Sequence, residues 1–169
     1  SNHSVDVLEY AAQVKKIMHQ VDSGLKDDQV LYVNFHPILH GAVQLDAYQH
    51  ILPFPTEVSN YEFLNCADAL ITDYSSVFFD YGILKKPMLF YMYDLQDYKD
   101  SIRGFYFGID KLPGKIITKE EELPDAIRDS IDNFVYDDKY REFNETFSKR
   151  EDGQASRRFV DWVFRGEKG

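Results

Sequence analysis

The chain has 169 residues and carries 29 acidic against 19 basic side chains, for a formal net charge of −10. That balance excludes broad contact with nucleic acid, because neutralising phosphates takes a clustered Lys/Arg surface. With 44% hydrophobic and 15% aromatic residues the chain can build a core, and no apolar run in it reaches the roughly 18 residues of a membrane span. The single cysteine, Cys66, cannot form an internal disulfide, so a reducing, cytoplasmic compartment is expected. The length predicts one domain over residues 1–169, and an opening "SN" before an amphipathic stretch suggests a piece excised from a larger protein.

In chain order, Val5, Leu8, Ala12, Ile17 and Val21 recur at helical steps and predict a first helix with one buried stripe over residues 5–21. "VLYVNF" (30–35) reads as a strand buried on both faces and ends at His36-Pro37. "HILPFP" (50–55) is at most a short strand because of its prolines. A short helix is predicted over 60–67, a strand over 68–72, a helix over 76–85 and a strand over 87–92. After a loop rich in Asp, Tyr and Gly come a strand over 115–118 and a helix over 120–133, with Thr118 as its expected cap and Glu121 and Glu122 in its first turn. Two more helices are predicted over 138–149 and 155–164. Buried strands alternating with helices imply an α/β fold, a parallel sheet flanked by helices on both faces.

In such a sheet ligands sit beyond the carboxyl ends of the strands, and "ITDYSSVFFDYG" (71–82) is a strand-to-helix handover at such an end. Ser75 is expected to cap the helix, leaving first-turn amides pointing outward toward a small anion; a plain cap with no ligand explains Ser75 equally well. Asp80 lies four residues after Ser76 among Val77, Phe78, Phe79, Tyr81, Ile83 and Leu84. A carboxylate on so apolar a helix should be buried and bonded, either to ligand hydroxyls or to an internal partner.

At this point a resemblance becomes specific. "ADALITDYSSVFFDYGILKKPMLFY" followed by "RGFYF", with "HP" at His36-Pro37, "PG" at Pro113-Gly114 and "DGQASRR" from Asp152 to Arg158, resembles the C-terminal half of the CDP-glycerol glycerophosphotransferases, the teichoic-acid polymerase and primase family. It runs from about residue 28 to 165. It implies a Rossmann-like C-terminal half of a GT-B fold that binds CDP-glycerol, or CDP-ribitol, for transfer of polyol phosphate to a hydroxyl of a teichoic acid chain with release of CMP. His36 would be catalytic, donating to the diphosphate as CMP departs, and Ser75 and Ser76 would cradle that diphosphate. Asp80 would read ribose or glycerol hydroxyls, and Arg103 with Arg157 or Arg158 would supply cations, since a guanidinium binds two phosphate oxygens at once. Asp73 either orients the loop or ends the strand, and Phe105 and Tyr106 either wall the cytosine or pack in the core.

No cofactor is expected, and a divalent-cation requirement is left open. His36 and His40 invite a metal reading, but Pro37 and Gly41 interrupt a regular helix there and no third ligand suggests itself. The family's acceptor-binding half, with its general-base histidine, precedes this region and is not among the 169 residues, so the chain by itself should bind donor and catalyse little. The parent would work in the cytoplasm, peripheral on the cytoplasmic face of the cell membrane. Two other readings stand beside this one. A nucleotide-sugar transferase half using a UDP-hexose would share the sheet and the serine turn, and a non-catalytic flavodoxin-like or receiver-like module would use Asp73 at its strand end.

Overall fold

Strand β4 (Met88–Tyr91) is buried on both faces, and the other elements are arranged around it. The computed structural model describes residues 2–35, 39, 41–93 and 108–166. Side chains alternate across a strand, so Met88 and Phe90, continued by Met92, face one way, while Leu89 faces the other. The first face packs against Phe78 and Tyr81 of α3 (Val77–Gly82), Tyr140 and Phe143 of α5 (Asp138–Phe147), and Leu112. The second packs against Val21 of α1 (Asn2–Gly24), Leu123, Ala126 and Ile127 of α4 (Leu123–Asp132), and Ile117 of β5 (Lys115–Ile117). This two-sided cover is why "PMLFY" can be an unbroken apolar run.

Among the described residues all strand pairs are parallel, as expected, but they form two hydrogen-bonded sheets instead of one. The larger has the order β3-β4-β5, with β3 (Leu70–Thr72) pairing Leu70 to Met88 and Thr72 to Phe90. The smaller pairs β1 (Leu31–Val33) with β2 (Ile51–Pro53), Leu31 opposite Ile51. Leu31 and Ile71 both pack on the cluster around Val21 and Leu89, so a shared core bridges the two sheets although no ladder is formed. β1 is not buried on both faces. Tyr32 is exposed and makes an edge contact with Phe63 of α2 (Asn60–Cys66) at 4.9 Å between ring centres.

The helices differ from the sequence expectation in face and length. In α1 the buried stripe is Ala11, Val14 and Val21, whereas Leu8 is 68% exposed and Ala12 is on the outer side. Spacings of three and seven residues hold one face, and Leu8 with Ala12 belongs to the neighbouring one. Helix α2 starts at a capping box, in which Ser59 Oγ accepts from the Glu62 N–H and a Glu62 carboxylate oxygen accepts from the Ser59 N–H, both at 3.2 Å. Thr118 caps nothing, because a 3-10 turn (Glu120–Glu122) flanked by Lys119 precedes α4, whose own first turn carries Pro124. The last helix, α6 (Ala155–Val160), passes into a π-helical turn (Asp161–Arg165), and Phe159, Trp162, Val163 and Phe164 along it are exposed.

One glycine is required by close approach. A Cβ on Gly114 would lie 2.1 Å from the carbonyl oxygen of Met88, so only glycine lets the chain enter β5 against β4.

Candidate functional site

Strand β3 ends at Thr72, and the chain turns into α3 through Asp73, Tyr74, Ser75 and Ser76. The Asp73 carboxylate accepts from the Ser75 N–H at 3.0 Å, and Ser75 Oγ accepts from the Val77 N–H at a long 3.5 Å. Such short-range bonds from Asp and Ser to nearby amides are what lets a chain leave a strand and enter a helix within four residues. The N-cap position belongs to Ser76, not Ser75, and the Ser76 hydroxyl makes no capping bond. Ser75 and Ser76 are both exposed.

Asp80 corrects a second expectation, for it is exposed. Helix α3 buries only Phe78, Tyr81 and Gly82, and six residues present too little surface for a carboxylate between those positions to be enclosed. Its charge therefore faces solvent on the same short helix as the serine pair. Residues 70–84 contain no Lys or Arg. An anion received at this junction would meet two hydroxyls and two carboxylates, Asp73 and Asp80, so its cations must come from other segments.

The rear of α3 is built differently. Tyr81 Oη donates to the Ala67 carbonyl at 3.1 Å, Tyr140 Oη to the Lys86 carbonyl at 2.9 Å, and Asn144 Nδ2 to the Gly82 carbonyl at 2.8 Å. Burial first, and for Tyr81 the neighbouring Asp68 charge, push both phenols well above their ordinary range, so they stay neutral donors throughout the physiological range. Lys86 Nζ donates to the carbonyls of Asn65 and Ala67 at the end of α2, at 3.2 and 2.7 Å. That is the role of the "KP" pair, which sequence reasoning took only as a likeness. Lys86 closes one helix and Pro87 starts the return into β4. Lys85, in the left-handed region at φ 56 in the turn that follows α3, lays its ammonium over the Tyr136 ring at 5.4 Å.

Arg157 and Arg158 are on α6 and not in a loop. Arg158 is already engaged. Its Nη1 donates to both Asp152 carboxylate oxygens at 2.7 and 2.8 Å, and its Nη2 to the Arg150 carbonyl at 2.6 Å. Asp152 also accepts from the Gln154 N–H at 3.0 Å across Gly153, which sits at φ +74. The Arg158 bond and then the Gln154 amide hold the Asp152 carboxyl below its usual range. "DGQASRR" is thus first a self-bonded helix start. Arg157 is the looser guanidinium, exposed and 3.9 Å from Asp161.

The structure gathers Asp73, Ser75, Ser76 and Asp80 on one junction and places Arg157 and Arg158 on a separate helix. His36, Pro37, His40, Arg103, Gly104, Phe105 and Tyr106 lie outside the described residues. Among the described residues no group of three His, Cys, Asp or Glu side chains could hold a metal ion, and no helix is long and apolar enough to cross a membrane.

Comparison with known proteins agrees with this architecture. The chain is 37% identical over 163 residues to the teichoic acid glycerol-phosphate transferase of Staphylococcus aureus, a match covering 92% of this chain and 40% of that protein. It is 32% identical to the teichoic acid ribitol-phosphate primase of Bacillus spizizenii over 89% of this chain and 37% of the relative. A variant of the wall teichoic acid polymerase TagF superposes with a TM-score of 0.75 at 32% identity, over 88% of this chain and 37% of TagF. A structure of TagF soaked with CDPG superposes at 0.71. The α/β fold of parallel strands flanked by helices is shared with these structures, and this chain spans between 20% and 40% of the length of the curated relatives it matches. A family model for CDP-Glycerol:Poly(glycerophosphate) glycerophosphotransferase matches residues 5–165, and the chain belongs to that family.

Proposed function

We propose that residues 1–169 form a single donor-binding domain of a longer polyol-phosphate transferase. It binds CDP-glycerol, or CDP-ribitol as the ribitol-phosphate relatives suggest. In the longer protein, a hydroxyl of a teichoic acid-type chain attacks the phosphorus that carries the polyol. A new P–O bond forms as the hydroxyl's proton passes to a base in the part of the longer protein outside these 169 residues, the bond to the CMP oxygen breaks with its electron pair, and CMP departs. Little covalent chemistry falls to the protein in such a step, so its task is to place the reactants and neutralise the leaving charge.

The observation that carries this reading is the exposed serine pair at the β3–α3 junction, held by Asp73 in front and by the tyrosine and lysine bonds behind. Ser75 and Ser76 hydroxyls donate to the diphosphate, and Asp80, open to solvent, accepts from ribose or glycerol hydroxyls. His36 donates to the departing CMP phosphate. Since the junction supplies no cation of its own, Arg103 and Arg157 supply the charge. Arg158 shapes the helix that presents Arg157, because its own guanidinium is committed to Asp152 and Arg150. The acceptor is held by the part of the longer protein that these 169 residues do not include, and the reaction takes place at the cytoplasmic face of the membrane with only peripheral lipid contact and no nucleic acid.

Calorimetric titration of the chain with CDP-glycerol, CMP and UMP tests this. Cytidine-selective binding that a Ser75→Ala/Ser76→Ala variant weakens at least tenfold supports it. Equal binding of UMP and CMP would favour a uridine-sugar donor, and an unchanged variant would move the diphosphate away from the serines.

A further inference from the structure

Helix α5 presents Lys139, Glu142, Phe143, Thr146 and Phe147 along one stripe, spaced three and four residues apart, and the 3-10 turn Ile109–Lys111 lies across it. Between them is a cavity of about 210 Å³, to which Asp110 and Lys111 add their side chains. The volume is below the roughly 300–1,000 Å³ of a drug-sized ligand pocket, which makes it too small for a nucleotide. Its floor is aromatic, and it is next to the junction described above. Phe79, three residues beyond Ser76, stacks on Phe143 with ring centres at 5.7 Å and meets Phe147 edge-on at 5.2 Å.

The four charged side chains around it are exposed. Lys139 and Glu142 are at a spacing that commonly closes into an ion pair on a helix surface, as Arg141 with Asp138 does on the same helix. Among the described residues, however, none of Lys111, Lys139, Asp110 and Glu142 is in an ion pair. Two ammonium groups and two carboxylates therefore line a small cavity without satisfying one another. Ammonium groups suit a phosphate, and the carboxylates suit the hydroxyls of a polyol, as does the Thr146 oxygen, which can accept while its own hydrogen goes to the Glu142 carbonyl at 2.7 Å. The two signs of charge balance, so preference for a polyol diester over inorganic phosphate comes from the groups that meet its hydroxyls.

We propose that this groove is a subsite for one glycerol-phosphate diester unit of a poly(polyol phosphate) chain, distinct from the donor's diphosphate site and one turn of α3 away from it. The inference rests on the reading that the longer protein handles such chains, and it adds where a growing chain touches this domain. A single unit binds weakly here, and several linked units bind more tightly through effective concentration.

The test is amide NMR of the isotopically labelled chain, titrated with a short synthetic phosphodiester-linked glycerol oligomer, with glycerol, with inorganic phosphate and with CDP-glycerol. The oligomer should shift the amides of Lys111, Lys139, Glu142 and Thr146, and a Lys111→Gln/Lys139→Gln variant should bind it at least fivefold more weakly while its CDP-glycerol titration is unchanged. Both substitutions are at exposed positions, and the dispersion of the variant's spectrum reports that it folds. Oligomer shifts that map elsewhere, no oligomer binding, an unchanged variant, or equal shifts from inorganic phosphate would each overturn the subsite. Loss of CDP-glycerol binding with the oligomer response intact would overturn the donor reading and leave the groove standing.

Discussion

The two ends of α3 are opposites, although only six residues separate them. At the front, Asp73, Ser75 and Ser76 are exposed, and local bonds join Asp73 to the Ser75 amide and Ser75 to the Val77 amide, the latter 3.5 Å long. The rear, Tyr81 to Pro87, is tied by Tyr140 and Asn144 of α5 and by the bonds of Tyr81 and Lys86 to carbonyls at the end of α2. A loop that must receive a ligand needs unspent donors, and it needs a rigid mount to hold them in place. The helix divides those tasks between its ends, and perturbing one end should show up in stability and the other in binding.

The largest effect should come from beneath the mount. Phe90 is fully buried at the centre of the sheet against Phe78, so Phe90→Ala should cost about 3–5 kcal/mol of stability in urea unfolding. At the front, Ser75→Ala/Ser76→Ala should leave the urea midpoint nearly unmoved and cost on the order of 1.5–3 kcal/mol of CDP-glycerol affinity, the scale of hydrogen bonds to a charged group. If that variant unfolds early instead, the division between the two ends fails. Tyr140→Phe removes one rear bond and strands the Lys86 carbonyl, for about 1–3 kcal/mol of stability, with donor affinity falling only as far as the mount loosens.

Smaller effects separate the two arginines. Arg157→Ala should weaken CDP-glycerol in calorimetry with little change in unfolding, and Arg158→Ala should loosen α6 in hydrogen exchange, because it removes the partner of Asp152 and Arg150. The smallest is a pH effect far from the site. The Glu62 carboxylate accepts from the Ser59 hydroxyl and amide, and these bonds hold its carboxyl below the ordinary 4.5. A depressed folded value means the capping contribution is present above the unfolded value and is lost as pH falls through the folded one. The stability gap between wild type and Glu62→Ala at pH 7 should therefore close below pH 4.5.

Much of this was legible in the sequence because burial leaves an unbroken apolar run. "DALIT" and "PMLFY" showed two neighbouring strands of the larger sheet, and the α/β class followed from their alternation with helices. The split into two sheets was not legible, since it depends on how close β1 and β3 come and not on what their side chains are. The exposure of Asp80 was missed for a related reason, because apolar neighbours on a six-residue helix do not enclose the position between them. The pairing of Arg158 with Asp152 spans six residues through a left-handed glycine, a spacing with no regular-helix signature. Lys86 could have been found by noting that a lysine just after one helix can reach the open carbonyls of its neighbour.

The exposed side chains along α6 and the turn after it have a practical meaning as well. The chain holds one tryptophan, and Trp162 is 63% exposed. Its emission in the folded protein should already resemble that of an indole in water, so unfolding will change the fluorescence little. Anything that settles over that helix will shift the emission to the blue. The same apolar strip favours self-association as concentration rises, and a dilution series read at Trp162 would show at what concentration this domain stops behaving as a monomer.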